Sequence, residues 1–155
     1  MMTSLVFRAL DHQVIEGLAD HPAVVDARGE ISYAQLLHES ASVAGALANL
    51  GIAAQTPVAI DLPPTRERVI TVLACARVGA VPSTASAWHI AGVPPVLTTP
   101  EVTVEWDLLV RAGRTDPAPA PDADPEGYED LLTAAYGDVF AELVAGGTIH
   151  LPRLT

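Results

Sequence analysis

Residues Ala23–Ser86 read AVVDARGEISYAQLLHESASVAGALANLGIAAQTPVAIDLPPTRERVITVLACARVGAVPSTAS, and this stretch decides the fold because a structural signal stands at nearly every boundary in it. Ala23–Asp26 is a brief apolar run and Ala27-Arg28-Gly29 is turn-like, so Glu30–Ser32 is expected to pair back as a small hairpin. Ser32 and Gln35 stand at the spacing where a hydroxyl and a side-chain amide each satisfy a free backbone N–H at a helix start. The helix that follows carries Leu36, Leu37, Val43, Ala44, Leu47 and Leu50 on one broad face. Gly51 is suited to the left-handed conformation that ends helices.

Pro57–Leu62 is apolar without alternation, as a strand covered on both faces requires, and Pro63-Pro64 stops it. Thr65 caps a second helix, Arg66–Val78, whose stripe is Val69, Ile70, Val72, Leu73 and Ala76 and whose end is Gly79. Ala80-Val81-Pro82 opens a third strand. Strand, helix and strand of these lengths make a right-handed crossover in a parallel sheet. The expected fold class is therefore α/β: a mostly parallel sheet flanked by helices in a single compact domain.

Upstream, Val6, Leu10, Val14, Ile15 and Leu18 recur at helical spacing, so Ser4–Asp20 is expected to be an amphipathic helix that Pro22 stops. Downstream, Pro95–Thr98 and Val102–Val104 read as short strands, pushed towards sheet edges by Pro94, Pro95 and Pro100. DPAPAPDADP, residues 116–125, has the composition of an extended solvated connector. Glu126–Ala135 and Asp138–Ala145 read as two short helices with acids in their first turns, and Thr148–Leu151 as a final strand added to the same sheet. The chain thus divides into a core at 1–115, the connector at 116–125, and helices with a returning strand at 126–155.

Half of the 155 residues are apolar, enough for one domain that buries about 70% of its unfolded surface. A net charge of −11 repels nucleic acid and anionic membranes, so neither is expected as a partner. Every basic side chain is Arg, which removes mechanisms that need a Lys Schiff base or a Lys on phosphate. The single Cys75 lies in an apolar helical run and reads as a packed thiol, which fits a cytoplasmic protein. Neither a secretory leader nor an apolar run long enough to span a bilayer is read in the sequence.

Four matches of residues to a family pattern follow from the opening stretch: Ser32-Tyr33-Ala34-Gln35-Leu36, Leu50-Gly51-Ile52, Val58-Ala59-Ile60 and Gly79-Ala80-Val81-Pro82. Together they resemble the N-terminal subdomain of the acyl-CoA synthetase, adenylation-domain and luciferase superfamily of AMP-forming ligases. Asp138–Pro152, DVFAELVAGGTIHLP, is similar to a later family segment, a helix with L-x-x-G-x-T and a strand ending in L-P. The resemblance implies the fold of that subdomain with a large internal deletion, and it implies ATP-dependent adenylation as the ancestral chemistry.

The family's Gly-rich phosphate loop ending in P-K should stand between Pro125 and Tyr128 or shortly after, and no such run is there. Ala135-Tyr136-Gly137-Asp138 is similar to the family's Y-G-x-T-E, but Val139 replaces its Thr and Phe140 its Glu. Adenylation by these residues is therefore not expected, and no cofactor is assigned.

In open parallel sheets, ligands sit beyond the C-terminal strand ends, at a switch point. Asp61–Arg66, Ser83–His89 and His150 are expected to converge there. Asp61 is a candidate acid or base if burial raises its pKa, and otherwise a loop hydrogen-bonding group. His89 titrates near neutrality beside Trp88, which either binds a ligand or plugs the core. His150 either faces the ligand edge or guards an edge strand. Thr65 and Arg66 are candidate ligand contacts, Arg66 either clamping a carboxylate or joining a solvated ion-pair face. His12, His21 and His38 share no metal-ligand spacing.

The functional expectation is an accessory, ligand-binding or partner-binding module that does not adenylate. Its expected partners are a second copy or another protein on an apolar face, and a small acyl or carboxylic ligand. The alternatives are a small acid/base enzyme using Asp61, His89 or His150, and an inactive fragment.

Overall fold

The computed structural model describes residues 3–153, so the outermost residues of the expected segments, 1–2 and 154–155, lie outside it. The hairpin comprises β1 (Pro22–Asp26) and β2 (Gly29–Ser32), antiparallel with Val25 opposite Glu30. The capping box forms as expected: Gln35 N donates to Ser32 Oγ at 3.1 Å and Ser32 N to Gln35 Oε1 at 2.9 Å. It starts α1 (Tyr33–Leu50), which ends on Gly51 at φ 114°. After β3 (Pro57–Asp61), the N–H of Arg68 donates to Thr65 Oγ1 at 3.2 Å and opens α2 (Arg66–Val78). The crossover closes with β4 (Val81–Ser83), parallel to β3.

The strands divide between two sheets. The first has the order β2-β1-β8 and the second β4-β3-β5-β6-β7, with β5 at His89–Ala91, β6 at Val96–Thr98 and β7 at Thr103–Glu105. The final strand, β8 (Ile149–His150), runs parallel to β1 and not beside β3, so it does not extend the sheet of the crossover. Parallel pairs at β1–β8, β3–β4 and β3–β5 are combined with antiparallel pairs at β1–β2, β5–β6 and β6–β7. The result is a single compact α/β domain with mixed sheets.

Helix α1 is the centre of the packing, and Ala41–Leu47 is buried around its whole circumference. Small residues make this possible by letting neighbours approach the backbone. Helix α3 (Trp106–Gly113) comes so close that a Cβ on Gly113 would overlap the Ser42 carbonyl oxygen, and a Cβ on Gly45 would overlap that of Asp116. The connector at 116–125 has no regular structure, yet it is pinned rather than solvated throughout. Ala118 N donates to Ala41 O at 2.9 Å, Arg77 Nε to Ala118 O at 2.9 Å, and Leu5 N to Asp124 Oδ2 at 2.8 Å.

The two helices expected near the C-terminus are one, α4 (Tyr128–Val144), kinked at Tyr136, where φ is −134°. At the other end, Phe7–Asp11 and Val14–Leu18 are helical with wide, π-type turns, and Gly17 at φ 101° breaks the second. The wide turns rotate later positions off the predicted stripe: Val6 and Leu10 are buried, but Ile15 is 69% exposed. Among the described residues no helix is long and apolar enough to cross a membrane.

Candidate functional site

The residues singled out in the sequence do not form one constellation. Asp61 ends β3 beside Ala91 of β5 and is exposed. His89 opens β5 opposite Ala59 rather than following the strand end. His150 belongs to the other sheet, opposite Val25, where it is exposed on an edge strand. Trp88 packs against the core beside Gly51, and its carbonyl accepts from Ala59 N at 2.9 Å, as a plug would. The Ser83–His89 segment crosses β3, because β4 and β5 flank that strand on opposite sides, and Ser86 Oγ donates to Pro57 O at 2.7 Å.

Arg66 is in an ion pair within the chain, with the carboxylate of Asp26 at the end of β1. Its Nε donates to Asp26 Oδ2 at 2.7 Å, and one terminal nitrogen donates to Oδ1. Arg28 completes the arrangement: its backbone N–H donates to Asp26 Oδ1 at 2.8 Å, and its guanidinium reaches both oxygens of Glu67 at 2.7 Å. The hydrogen-bonded guanidinium of Arg66 holds the Asp26 carboxyl below the usual carboxylate range, against the opposing effect of partial burial and with help from the Arg28 N–H. Asp26 is therefore a fixed charge at neutral pH rather than a proton carrier.

Strand ends do converge, around this network. A cleft of about 240 Å³ is bounded by Asp26, Ala27 and Arg28 after β1, Pro64 and Thr65 after β3, Gly92, Val93 and Pro95 after β5, and Leu151, Pro152 and Arg153 after β8. Both sheets contribute, so this strand-end cleft is where the topology directs a ligand. Of the sequence candidates only Thr65 lines it. Asp26, Arg28 and Arg153 line it without being among the sequence candidates; the signal for the first is an Asp closing an apolar strand, the same pattern that singles out Asp61.

Cys75 and Tyr33 are buried in the core. Burial pushes the Cys75 thiol up to about 12, and the hydroxyl of Tyr33, raised to about 12, donates to Gly147 O at 2.6 Å. His21 stacks on Tyr33 with ring centroids 6.1 Å apart. Among the described residues no group of three or more His, Cys, Asp or Glu side chains is placed to hold a metal.

The family model for AMP-binding enzyme matches residues 10–92. The chain belongs to the AMP-binding enzyme family. It is 41% identical over 86 residues to the acetyl-coenzyme A synthetase of Deinococcus radiodurans, a match covering 52% of this chain and 13% of that protein. It is 31% identical over 88 residues to the mitochondrial acyl-CoA synthetase short-chain family member 3 of Mus musculus, covering 53% and 13%. The matched segment thus spans about an eighth of the length of these relatives.

Among solved structures, an artificially fused adenylation–PCP di-domain, NpsA-ThdA from Klebsiella oxytoca, superposes with a TM-score of 0.74 at 14% identity, covering 99% of this chain and 40% of that one. The N-terminal subdomain of NpsA alone gives 0.70 at 14% identity, covering 99% and 56%. These likenesses establish the fold, that of the N-terminal subdomain of AMP-forming ligases.

Proposed function

We propose that these residues form a ligand-binding module of the AMP-binding family that holds a small carboxylic or acyl-derived molecule in the strand-end cleft without adenylating it. The observation that carries the reading is the charge left in that cleft. Asp26, Arg28, Arg66 and Glu67 neutralise one another, and the remaining lining charge is the cation Arg153, beside the apolar walls of Val93, Leu151, Pro64, Pro95 and Pro152. A carboxylate head on a short apolar body complements that surface, and about 240 Å³ is below the roughly 300–1,000 Å³ of sites for drug-sized ligands. The 155 residues contain no Lys, the group that resemblance to the family would require on the nucleotide and acyl phosphate.

The test is an NMR titration with butyrate, followed at the amides of Gly92, Val93 and Leu151, beside a separate titration with ATP and magnesium. Saturable butyrate shifts, weakened by Arg153→Gln and unchanged in Asp61→Asn and His89→Ala, support the reading. An absence of butyrate shifts sinks the ligand, and loss of binding or of a turnover in the Asp61 or His89 variants favours acid/base chemistry. Saturable ATP binding, or release of pyrophosphate with a carboxylic acid present, overturns the non-adenylating part.

A further inference from the structure

The ion-pair network that walls the strand-end cleft on one side walls a larger hollow on the other. This second cleft, of about 610 Å³, lies between β2, the first turns of α1 and α2, and the start of α3. Its floor is apolar: Ile31 and Ile70 are buried, Ala34 is half-buried, and the partly buried Trp106 stands as a wall. Hollows of this size with an apolar floor, an aromatic wall and a few polar groups are the common form of small-molecule sites.

The charge that faces this hollow has the opposite sign to that of the first. Arg28 and Arg66 line it, but both guanidinium groups are committed to Glu67 and Asp26. The ion pairs among the described residues leave the two other acids at the cleft, Glu30 and Glu39, without a cationic partner. An anion entering here meets two carboxylates outside any ion pair, and the His38 imidazole is the one basic side chain in the lining that is not in an ion pair. A cation meets both carboxylates and the indole of Trp106, the ring type that attracts ammonium groups most strongly.

We propose that the helix-side cleft binds a small organic cation, a primary ammonium on an aromatic or aliphatic body, with the ammonium between Glu30 and Glu39 and the body on Ile31, Ile70 and Trp106. The site shares Arg28 and Glu67 with the strand-end cleft, but its ligand contacts are other residues. Glu39 sits on the turn of α1 above Gln35, and Glu30 on β2, so the two carboxylates come from rigid elements rather than a loop. Trp106 at the start of α3 is held by the packing of Leu109, Val110 and Gly113 onto α1.

Phenethylamine is the probe, with phenylacetate and phenylethanol as anionic and neutral controls of similar body. Saturable shifts of the Ile31 and Gln35 amides and the Trp106 indole N–H are expected with the amine, at an affinity about tenfold or more above both controls. The combined Glu30→Gln and Glu39→Gln variant is expected to lose that preference while keeping its melting temperature, and Arg153→Gln to keep it. Should the double variant not fold, added salt replaces it: salt weakens the amine and spares the alcohol if the carboxylates select the charge. Equal affinity for the three probes, preference for phenylacetate, or no saturable shift at about 10 mM amine, above the millimolar range expected of such contacts, overturns the proposal.

Discussion

The carboxylate of Asp26 and the guanidinium of Arg66, 40 residues apart in sequence, tie the C-terminal end of β1 to the first turn of α2, with Nε and Oδ2 separated by 2.7 Å. The pair joins the two sheets' halves of the domain, because β1 belongs to one sheet and α2 packs beside β3 of the other. With the side chains only 11% and 19% exposed, removing one partner strands a desolvated charge.

Asp26→Asn is accordingly expected to cost about 2 kcal/mol at neutral pH, measured by urea unfolding. The folded pKa of Asp26 is lowered, so its contribution is present above the ordinary carboxylate value of about 3.9 and is lost as pH falls through the folded value. The gap between wild type and variant should therefore close in strong acid. A gap that stays constant with pH would mean that shape, not charge, is what Asp26 supplies.

Cys75 is fully enclosed by α2 and its neighbours, and burial raises its thiol to about 12. Thiolate is the reactive form, so the native protein should react with a thiol reagent only by opening. The labelling rate is expected to follow the unfolding free energy measured by urea across a set of destabilised variants. Fast labelling of the folded protein, independent of stability, would contradict the burial seen here.

Gln13 secures the end of the long kinked helix. Its Nε2 donates to the carbonyls of Leu143 and Val144, both at 2.9 Å, at the end of α4; Leu143 O also accepts from Gly146 N at 3.0 Å, whereas Gln13 is the described partner of Val144 O. Gln13→Leu should cost about 1 kcal/mol by leaving the Val144 carbonyl without its donor. Gln13→Glu should cost more at neutral pH, since a carboxylate faces the negative end of the helix dipole, and the difference between the two variants should shrink as the Glu is protonated. Equal unfolding midpoints for all three proteins would remove Gln13 from this role.

What the sequence made legible was local: the Ser32 capping box, the Thr65 cap and the Gly51 and Gly79 stops each depend on a few neighbouring residues, and each forms. Helix α3 was legible and overlooked, for Trp106, Leu109, Val110 and Gly113 hold helical spacing and all but the indole are buried. Other features depend on distant partners. The three residues of β5 become a strand because β3 and β6 lie on either side, and β8 chooses β1 over β3 by where α4 delivers it. The sequence candidates lie apart for the same reason. Asp61 and Asp26 both close apolar strands, and only the position of Arg66 in space separates the exposed one from the clamped one.

Three glycines separate packing from backbone freedom. A Cβ on Gly113 would overlap the Ser42 carbonyl of the buried helix α1 and one on Gly45 that of Asp116 in the connector, whereas a Cβ on Gly137 meets nothing within 4 Å. Gly113→Ala and Gly45→Ala must push α3 or the connector off α1, an overpacking cost of about 1–3 kcal/mol or more each. Gly137→Ala lies in α4 at a negative φ with open space, so replacing glycine in a helix should instead stabilise by about 0.5–1 kcal/mol. Thermal unfolding of the three variants checks the order. If Gly113→Ala proves neutral, the close approach of α1 and α3 is not what fixes the helix that carries Trp106, and the wall of the helix-side cleft must be positioned by other contacts.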